Sequence, residues 1–354
     1  MLKVLKIGSA FIGIIVGAGF ASGQEILQYF TSFGYLGIFG AIVSTALFAY
    51  VGMTLVSVGS RLKTTNHKDA FFDISGKVFG TIIDYIIIFT LFGVGVVMLA
   101  GAGSLLNQQF GLSAFVGSLL MVVLVAIVVM LNVQKVISII GSITPFLILF
   151  IILAGLYSLF TMDLSFEKLE PIALEHESAL SNWFFSAVNY VSFNTAVGAA
   201  MSLVMGGAEK NPKAAARGGL VGGLGLGIMI IISHLAIFSK IDVVGAYELP
   251  MLKIVDLISP VLSFVMTFVL FGMIFNTAVS MFYAFTARFM VMNTPKANIF
   301  VVVTLIVGFI ASFAGFTGLV SFFYPLIGTL GLVLIGVLIY APFKLARYEK
   351  KGIQ

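Results

Sequence analysis

The sequence predicts an all-α integral membrane protein with ten transmembrane helices. Of its 354 residues, 60% are hydrophobic and only 9% are charged, whereas soluble domains carry about 25% charged residues. Apolar stretches recur along the chain, and the basic residues lie between alternate stretches. Glycines interrupt the first stretch. The three observations predict the fold class, the orientation and the position of a functional site.

Ten apolar stretches are long enough to cross a bilayer, which takes about 20 residues per helix. We place the spans near residues 4–33, 35–61, 77–108, 112–131, 135–160, 180–207, 214–239, 260–289, 297–314 and 318–342. Gly34, Gly111 and Gly315 mark short joins, which predict turns between antiparallel neighbours. Basic residues ahead of the first stretch and small residues within it also fit a cleaved signal peptide.

The charge distribution favours a first stretch that stays in the protein. With a cytoplasmic N-terminus, only Lys168, Lys240 and Lys253, of the 19 lysines and arginines, fall in outside segments. The outside loop at 161–179 is acidic instead. By the positive-inside rule, we expect a multi-pass protein of the cell membrane with both termini in the cytoplasm.

Several function classes are excluded by the composition. The chain has no cysteine, which excludes disulfides and thiolate chemistry, and its three histidines are scattered. The net charge of +5 comes from basic residues at helix ends, so no nucleic-acid partner is expected. The glycine cluster at 218–227 lies inside an apolar span without a preceding strand, so it does not fit a dinucleotide site. We expect no enzyme and no cofactor. The expected partners are lipid and a small-molecule substrate, and the oligomeric state is open.

The two halves of the chain echo each other. "VGAG" at 16–19 matches "AVGA" at 196–199 in position, and Pro145 matches Pro325. We interpret the chain, 1–354, as one domain of two repeats, 1–160 and 180–342. Each repeat holds five spans, an odd number, so the second must be inverted in the membrane. Inverted repeats place a binding site near the midplane, where interrupted helices meet, and we predict that spans one and six are interrupted.

The stretch "GIIVGAGFASGQE" at 13–25 is the predicted break in span one. A break frees backbone groups that hydrocarbon cannot satisfy. Ser22 and Glu25 have the spacing of a capping box, which predicts a half-helix ending near Val16, an extended segment at 17–21 and a second half-helix from Gly23. In span six, Asn194 or Thr195 is the cap candidate. Helix packing is the other interpretation of the glycines, and Glu25 is a cap, a functional residue or both.

This pattern resembles the LeuT-type fold of the amino acid–polyamine–organocation superfamily, and "VGAGFASGQE" resembles the YkvI-like bacterial membrane proteins. The resemblance implies a symporter that moves a small amino acid, a related zwitterion or an organic amine by alternating access. Free N–H groups near the break would hold a substrate carboxylate. The implied substrate site comprises Gly17, Ala18, Gly19, Phe20, Ala21, Ser22 and Glu25 in span one, with Phe193, Asn194 and Thr195 in span six.

The resemblance also implies a coupling ion. A sodium site would use the carbonyls of Gly13 and Val16 with the side chains of Asn276 and Thr277. Asn276 departs from the serine or threonine that sodium-coupled members more often carry. Proton coupling through Glu25 or Asp84 is the alternative.

Asp84 has a second interpretation, as an inner gate that pairs with a basic residue such as Lys6. A charge inside a membrane span is rarely without a role. Two other functions stay open at this point. One is a proton-coupled permease or exchanger, and the other is a sensor that binds its ligand without transporting it.

Overall fold

The computed structural model describes residues 2–64, 67–131 and 144–351, and all regular structure in these ranges is helical. The helices are α1 (Leu2–Ile15), α2 (Ala18–Ser22), α3 (Gln24–Tyr29), a 3-10 turn (Thr31–Phe33), α4 (Leu36–Leu62), α5 (His67–Phe110), α6 (Ala114–Leu131), α7 (Thr144–Phe160), α8 (Phe166–Leu174), α9 (Trp183–Gly207), α10 (Pro212–Phe238), α11 (Ile241–Val244), α12 (Pro250–Ile258), α13 (Pro260–Phe289), α14 (Pro295–Ser312) and α15 (Phe316–Lys351).

Seven helices of the described ranges are long and apolar enough to cross a membrane: α4, α5, α9, α10, α13, α14 and α15. Two shorter apolar helices, Ala114–Met130 and Pro145–Phe160, lie within α6 and α7. The protein is therefore an all-helical, multi-pass membrane protein. The predicted start of span five, near 135, lies outside the described residues. The ten-span count and the 5+5 arrangement stay predictions.

Glycines form the three predicted tight joins. Gly34, Gly111 and Gly315 have φ angles of 53°, 68° and 81°, in the region that glycine adopts without steric cost. These joins connect the first span to α4, α5 to α6, and α14 to α15. The prediction of turns at these three positions is confirmed.

The glycine cluster at 218–227 packs α10 against its neighbours. A β-carbon on Gly219 would overlap the backbone at Gly52, and one on Gly223 would overlap the backbone at Phe48. Small residues allow helix backbones to approach this closely in a membrane. The cluster therefore serves close packing of α10 on α4.

The helices form two groups with the broken first span at their junction. In the first group, α4 packs along α9 and α10, and α1 packs along α10. In the second group, α5 packs along α13 and α6. The helix α15 contacts both α9 and α5, and the short helix α2 contacts α5, α12 and α13. The break in the first span thus lies between the two groups.

Candidate substrate site at the first-span break

The first span is interrupted at two points, Gly17 and Gly23, within the stretch where a single break was predicted. Helix α1 ends at Ile15, and Gly17 is extended with φ −98° and ψ −176°. Residues 18–22 form the short helix α2, and Gly23 then turns the chain with a φ of 86°. The predicted interruption is confirmed, but the prediction that residues 17–21 are extended is wrong for 18–21, because this segment closes one helical turn of its own.

The predicted capping box does not form. The N-cap of α3 is Gly23 rather than Ser22, so Ser22 belongs to the end of α2. Its hydroxyl donates to the carbonyl of Gly19 over 2.7 Å and accepts from the amide of Gln24 over 3.2 Å. The Glu25 side chain is thereby left for another partner.

That partner is Tyr190 on α9. Its hydroxyl donates to Oε2 of Glu25 over 3.0 Å, and Glu25 is only 4% exposed. The other carboxylate oxygen lies over Gly19, where a β-carbon would overlap the Glu25 carboxyl group and lie 3.1 Å from Oη of Tyr324. Glycine at position 19 therefore makes room for a carboxylate.

Aromatic rings surround this carboxylate. The ring of Tyr190 lies 5.1 Å from that of Tyr29, 5.1 Å from that of Phe30 and 6.0 Å from that of Phe48. Phe193 stacks on Tyr324 with the ring centroids 4.0 Å apart. Gly19 connects the two groups of rings, because the Glu25 carboxyl group and Oη of Tyr324 both lie beside it. Among the predicted residues, the structure thus brings Gly19, Glu25 and Phe193 to one site, whose rings we call the aromatic cluster: Tyr29, Phe30, Phe48, Tyr190, Phe193 and Tyr324.

Span six is one continuous helix in this structure, so the predicted interruption of this span is wrong. The side chain of Asn194 donates to the carbonyl of Tyr190, and that of Thr195 donates to the carbonyl of Val191. Both bonds return to the preceding turn of α9, so neither residue caps a helix. Hydroxyl and amide groups inside a helix satisfy themselves in this way on the carbonyl four residues back, so their presence does not require a break.

A hydrogen-bond network beside the site was missed by the sequence analysis. Tyr29 donates to Oδ1 of Asn189 over 3.2 Å, and the Asn189 amide donates to the carbonyl of Pro325 and the hydroxyl of Thr329. The network ties α3 and α9 to α15. One available signal was the "NY" at 189–190, one helical turn before Phe193.

The remaining predicted substrate residues are positioned by the break itself. Ala18, Phe20 and Ala21 are buried on α2, while Gly17 is half-buried. A β-carbon on Gly23 would lie 2.6 Å from the Met251 side chain, so α12 packs directly on the break.

The predicted sodium ligands lie on two elements near the break. Val16 is buried, and Gly13 is exposed at the end of α1. Oδ1 of Asn276 on α13 is buried and makes no hydrogen bond, and Thr277 follows it. A buried amide oxygen without a partner costs about 1–3 kcal/mol.

Asp84 pairs with a basic residue, as one of its two interpretations expected, but the partner differs from the example given. Arg288 on α13, rather than Lys6, forms the ion pair with Asp84 on α5. Both side chains are partly buried, and α5 packs along α13, so the two residues face each other directly. At the start of α1, Lys3 pairs with Glu209 over 3.2 Å.

A pocket lies on the side of the loop at 161–179, and we name it the loop-side pocket. It has a volume of about 140 Å³, and its lining includes Gln24, Gln28, His176, Glu177, Tyr247, Glu248 and Thr317. Oε1 of Gln24 and of Gln28 are buried and without a hydrogen-bond partner. Burial lowers the pKa of His176, so its imidazole is neutral at pH 7.

The whole chain is similar to two proteins of Bacillus subtilis (strain 168). It is 29% identical over 341 residues to the uncharacterized membrane protein YkvI, with 94% of each chain covered. It is 26% identical over 333 residues to the uncharacterized protein YyaD, again with 94% of each covered. No family model matches the chain. The resemblance to YkvI-like proteins is confirmed.

Solved structures share the arrangement of the helices. MhsT in complex with L-phenylalanine matches 95% of this chain and 89% of its own, with a TM-score of 0.64 and 17% identity. Inward-facing Mhp1 matches 97% of this chain and 77% of its own, with a TM-score of 0.63 and 15% identity. The chain has the LeuT-type fold. A mutant manganese transporter of Eremococcus coleocola matches 96% of this chain and 78% of its own, with a TM-score of 0.57 and 14% identity. All three are transporters, which agrees with the expectation that this chain is not an enzyme.

Proposed function

We propose that the protein is a secondary active transporter. It moves a small amino acid, a related zwitterion or an organic amine across the cell membrane, together with Na⁺. The observation that carries the proposal is the broken first span, which holds the buried carboxylate of Glu25 between two helix groups of a LeuT-type fold. Ionisable groups inside a membrane mark substrate and ion pathways because they are costly to bury, by about 2.5–3.5 kcal/mol on insertion scales.

The proposed topology has ten spans in two inverted repeats, with both termini in the cytoplasm. Its support is the distribution of basic residues together with the seven long apolar helices of the described ranges. The chain has no cysteine, so single introduced cysteines report sidedness in intact cells. An impermeant maleimide should label Glu175→Cys and spare Lys210→Cys. The reverse pattern would overturn the proposed orientation.

The proposed transport cycle is alternating access. The first-span break and the aromatic cluster lie where the α4–α9–α10 group meets the α5–α13 group. Rocking of one group against the other opens such a site to each side of the membrane in turn. Substrate binding at the break would bias this equilibrium because short links, residues 16–17 and Gly23, join α1, α2 and α3.

The unpartnered Oδ1 of Asn276 supports the proposed sodium site. Carbonyl oxygens suit hard cations, and Val16 lies where α1 has just ended, so its carbonyl is a candidate second ligand. Gly13 and Thr277 complete the proposed set. A proton-coupled permease or exchanger is the second candidate, and the observation that favours it is the burial of Glu25.

The test is transport by the purified full chain in liposomes. Amino acids and amines are first screened by thermal shift with and without Na⁺, and the compounds that bind are then tested for uptake. Uptake driven by an imposed Na⁺ gradient supports the proposal, whereas uptake driven only by a pH gradient favours the proton-coupled candidate. Binding without any uptake, under either gradient, would indicate a sensor and would exclude a transporter.

A further inference from the structure

The position expected for a substrate carboxylate is taken by the protein itself. The LeuT-type resemblance implies that a carboxylate group lies at residues 18–22. In this structure the carboxyl group of Glu25 lies over Gly19, in the space that a β-carbon would need. A substrate carboxylate there would face Glu25 at close range, and two like charges in a desolvated site repel strongly.

The Glu25 carboxylate has no positive partner in the described ranges. No Lys, Arg or His nitrogen of these residues lies within 4.0 Å of it, and Tyr190 supplies a single hydrogen bond. A carboxylate accepts about four hydrogen bonds. A buried charge is stable only when it is paired and hydrogen-bonded. The carboxyl group is therefore neutralised either by a proton or by a cation that binds beside it.

The walls of the site favour an organic cation. The rings of Tyr29, Tyr190 and Tyr324 are all buried within the same aromatic cluster, and Phe193 is stacked on the last of them. Aromatic faces attract ammonium groups within about 6 Å of the ring centroid. Their apolar edges suit the hydrocarbon part of an amine.

The lining of the loop-side pocket also favours a cation. Its lining offers two unpartnered amide oxygens, on Gln24 and Gln28, and two carboxylates, on Glu177 and Glu248. Its histidine is neutral at pH 7, and no lysine or arginine lines the pocket. Gln24 precedes Glu25 in the chain, and Gln28 follows it by one helical turn. The pocket therefore offers hydrogen-bond acceptors beside the helix that carries Glu25.

We propose that the substrate is an organic amine that lacks a carboxylate, and that its ammonium group pairs with Glu25 while its hydrocarbon part contacts the aromatic cluster. Zwitterionic α-amino acids are excluded because their carboxylate would meet that of Glu25. This inference rests on the proposed transport function and narrows its substrate class.

Matched pairs of compounds test the inference on the wild-type protein. The pairs are phenethylamine with phenylalanine, isobutylamine with valine, cadaverine with lysine, putrescine with ornithine, and agmatine with arginine. Each amine is its amino acid without the carboxylate. We expect at least one amine to raise the melting temperature in detergent and its amino acid to leave it unchanged. An amino acid that binds as tightly as its amine would overturn the inference, as would the absence of binding by all the amines.

Glu25→Gln tests the assigned residue, with Glu167→Gln on an exposed part of α8 as the matched control. Truncating one partner of a buried charge pair typically costs about 30-fold or more in affinity. We expect that loss for the amine in Glu25→Gln and none in Glu167→Gln. Unchanged amine affinity in a folded Glu25→Gln protein would overturn the inference. If Glu25→Gln does not fold, Glu25→Asp is the second variant. Its side chain keeps the charge but is one methylene group shorter, so the affinity for the amine should again fall.

Failure of the inference and failure of the transport proposal give different results. Uptake of an amino acid into liposomes, without uptake of its amine, overturns the inference and leaves the transporter intact. An amine that binds through Glu25 but is not taken up overturns the transporter and leaves the amine site intact.

Discussion

The hydroxyl of Tyr190 donates a hydrogen bond to Oε2 of Glu25 across 3.0 Å. This contact joins the second half of the broken first span to α9, and it is buried on both sides. It orients the carboxylate toward Gly19 rather than toward the backbone of its own helix. The relationship replaces the predicted capping box, and it makes Tyr190 a positioning residue for Glu25.

Tyr190→Phe should weaken substrate binding without preventing folding. The change removes one donor to a buried carboxylate and keeps the ring that packs on Tyr29, Phe30 and Phe48. Loss of a hydrogen bond to a charged group costs about 1.5–3 kcal/mol of stability, and substrate affinity should fall because the released carboxylate is no longer held over Gly19. Isothermal titration calorimetry with the substrate measures the affinity. Tyr85→Phe, which changes an exposed ring, is the control. Equal affinity in both variants would remove Tyr190 from the site.

Gly19→Ala should displace the carboxylate while the protein remains folded. The added β-carbon overlaps the end of the Glu25 side chain, which is flexible enough to move. Overpacking of this kind typically costs about 1–3 kcal/mol, and the loss should fall mainly on substrate affinity. Gly336→Ala on α15 is the control, because a β-carbon there has open space. A Gly19→Ala protein with wild-type affinity would show that the position of the carboxylate is unimportant.

The ion pair between Asp84 and Arg288 should stabilise one helix group rather than open and close a gate. The helices that carry it, α5 and α13, pack along each other, so the pair does not cross the junction between the groups. Removing either charge from a partly buried pair should lower stability by about 1–3 kcal/mol, between the values for exposed and buried pairs.

Thermal unfolding of Asp84→Ala, Arg288→Ala and the exchanged pair Asp84→Arg/Arg288→Asp measures this effect. The exchanged pair should recover part of the stability that each single variant loses. A gate would behave differently. Its single variants would keep the melting temperature and change the accessibility of the site to an impermeant label.

The helices were predictable from the sequence because each depends on local composition. Gly34, Gly111 and Gly315 punctuate the apolar runs, and the structure has a turn at each of them. The break in the first span was predictable for the same reason. Gly17 has an extended backbone conformation at the break, and Gly23 has a left-handed one.

The partners across helices were not predictable, because they depend on how distant elements pack. Ser22 and Glu25 have the spacing of a local cap, but no side chain caps α3, and the Glu25 carboxylate accepts from Tyr190 of α9 instead. The polar pair Asn194–Thr195 resembles a helix cap in sequence, yet both side chains bond back to their own helix. Arg288 is paired with Asp84 although 204 residues separate them.

Asn276 is either a sodium ligand or a structural residue, and Asn276→Leu should change the stability of the protein in opposite directions in the two cases. Oδ1 of Asn276 is buried without a hydrogen-bond partner, so in a Na⁺-free buffer the asparagine destabilises the protein. Leucine has nearly the same size and leaves no unsatisfied group. We therefore expect Asn276→Leu to equal or exceed the melting temperature of the wild type in potassium buffer. In sodium buffer of equal ionic strength the wild type should gain stability and the variant should not.

The same ion should tighten substrate binding in the wild type by about 5- to 150-fold, and substrate should tighten Na⁺ binding by the same factor, because coupling between two sites is reciprocal. Thr277→Ala, which removes a second proposed oxygen, should weaken both effects without raising stability in potassium. A variant that loses stability in potassium and still responds to Na⁺ would show that Asn276 is a packing residue, and the coupling ion would then have to be sought at Glu25.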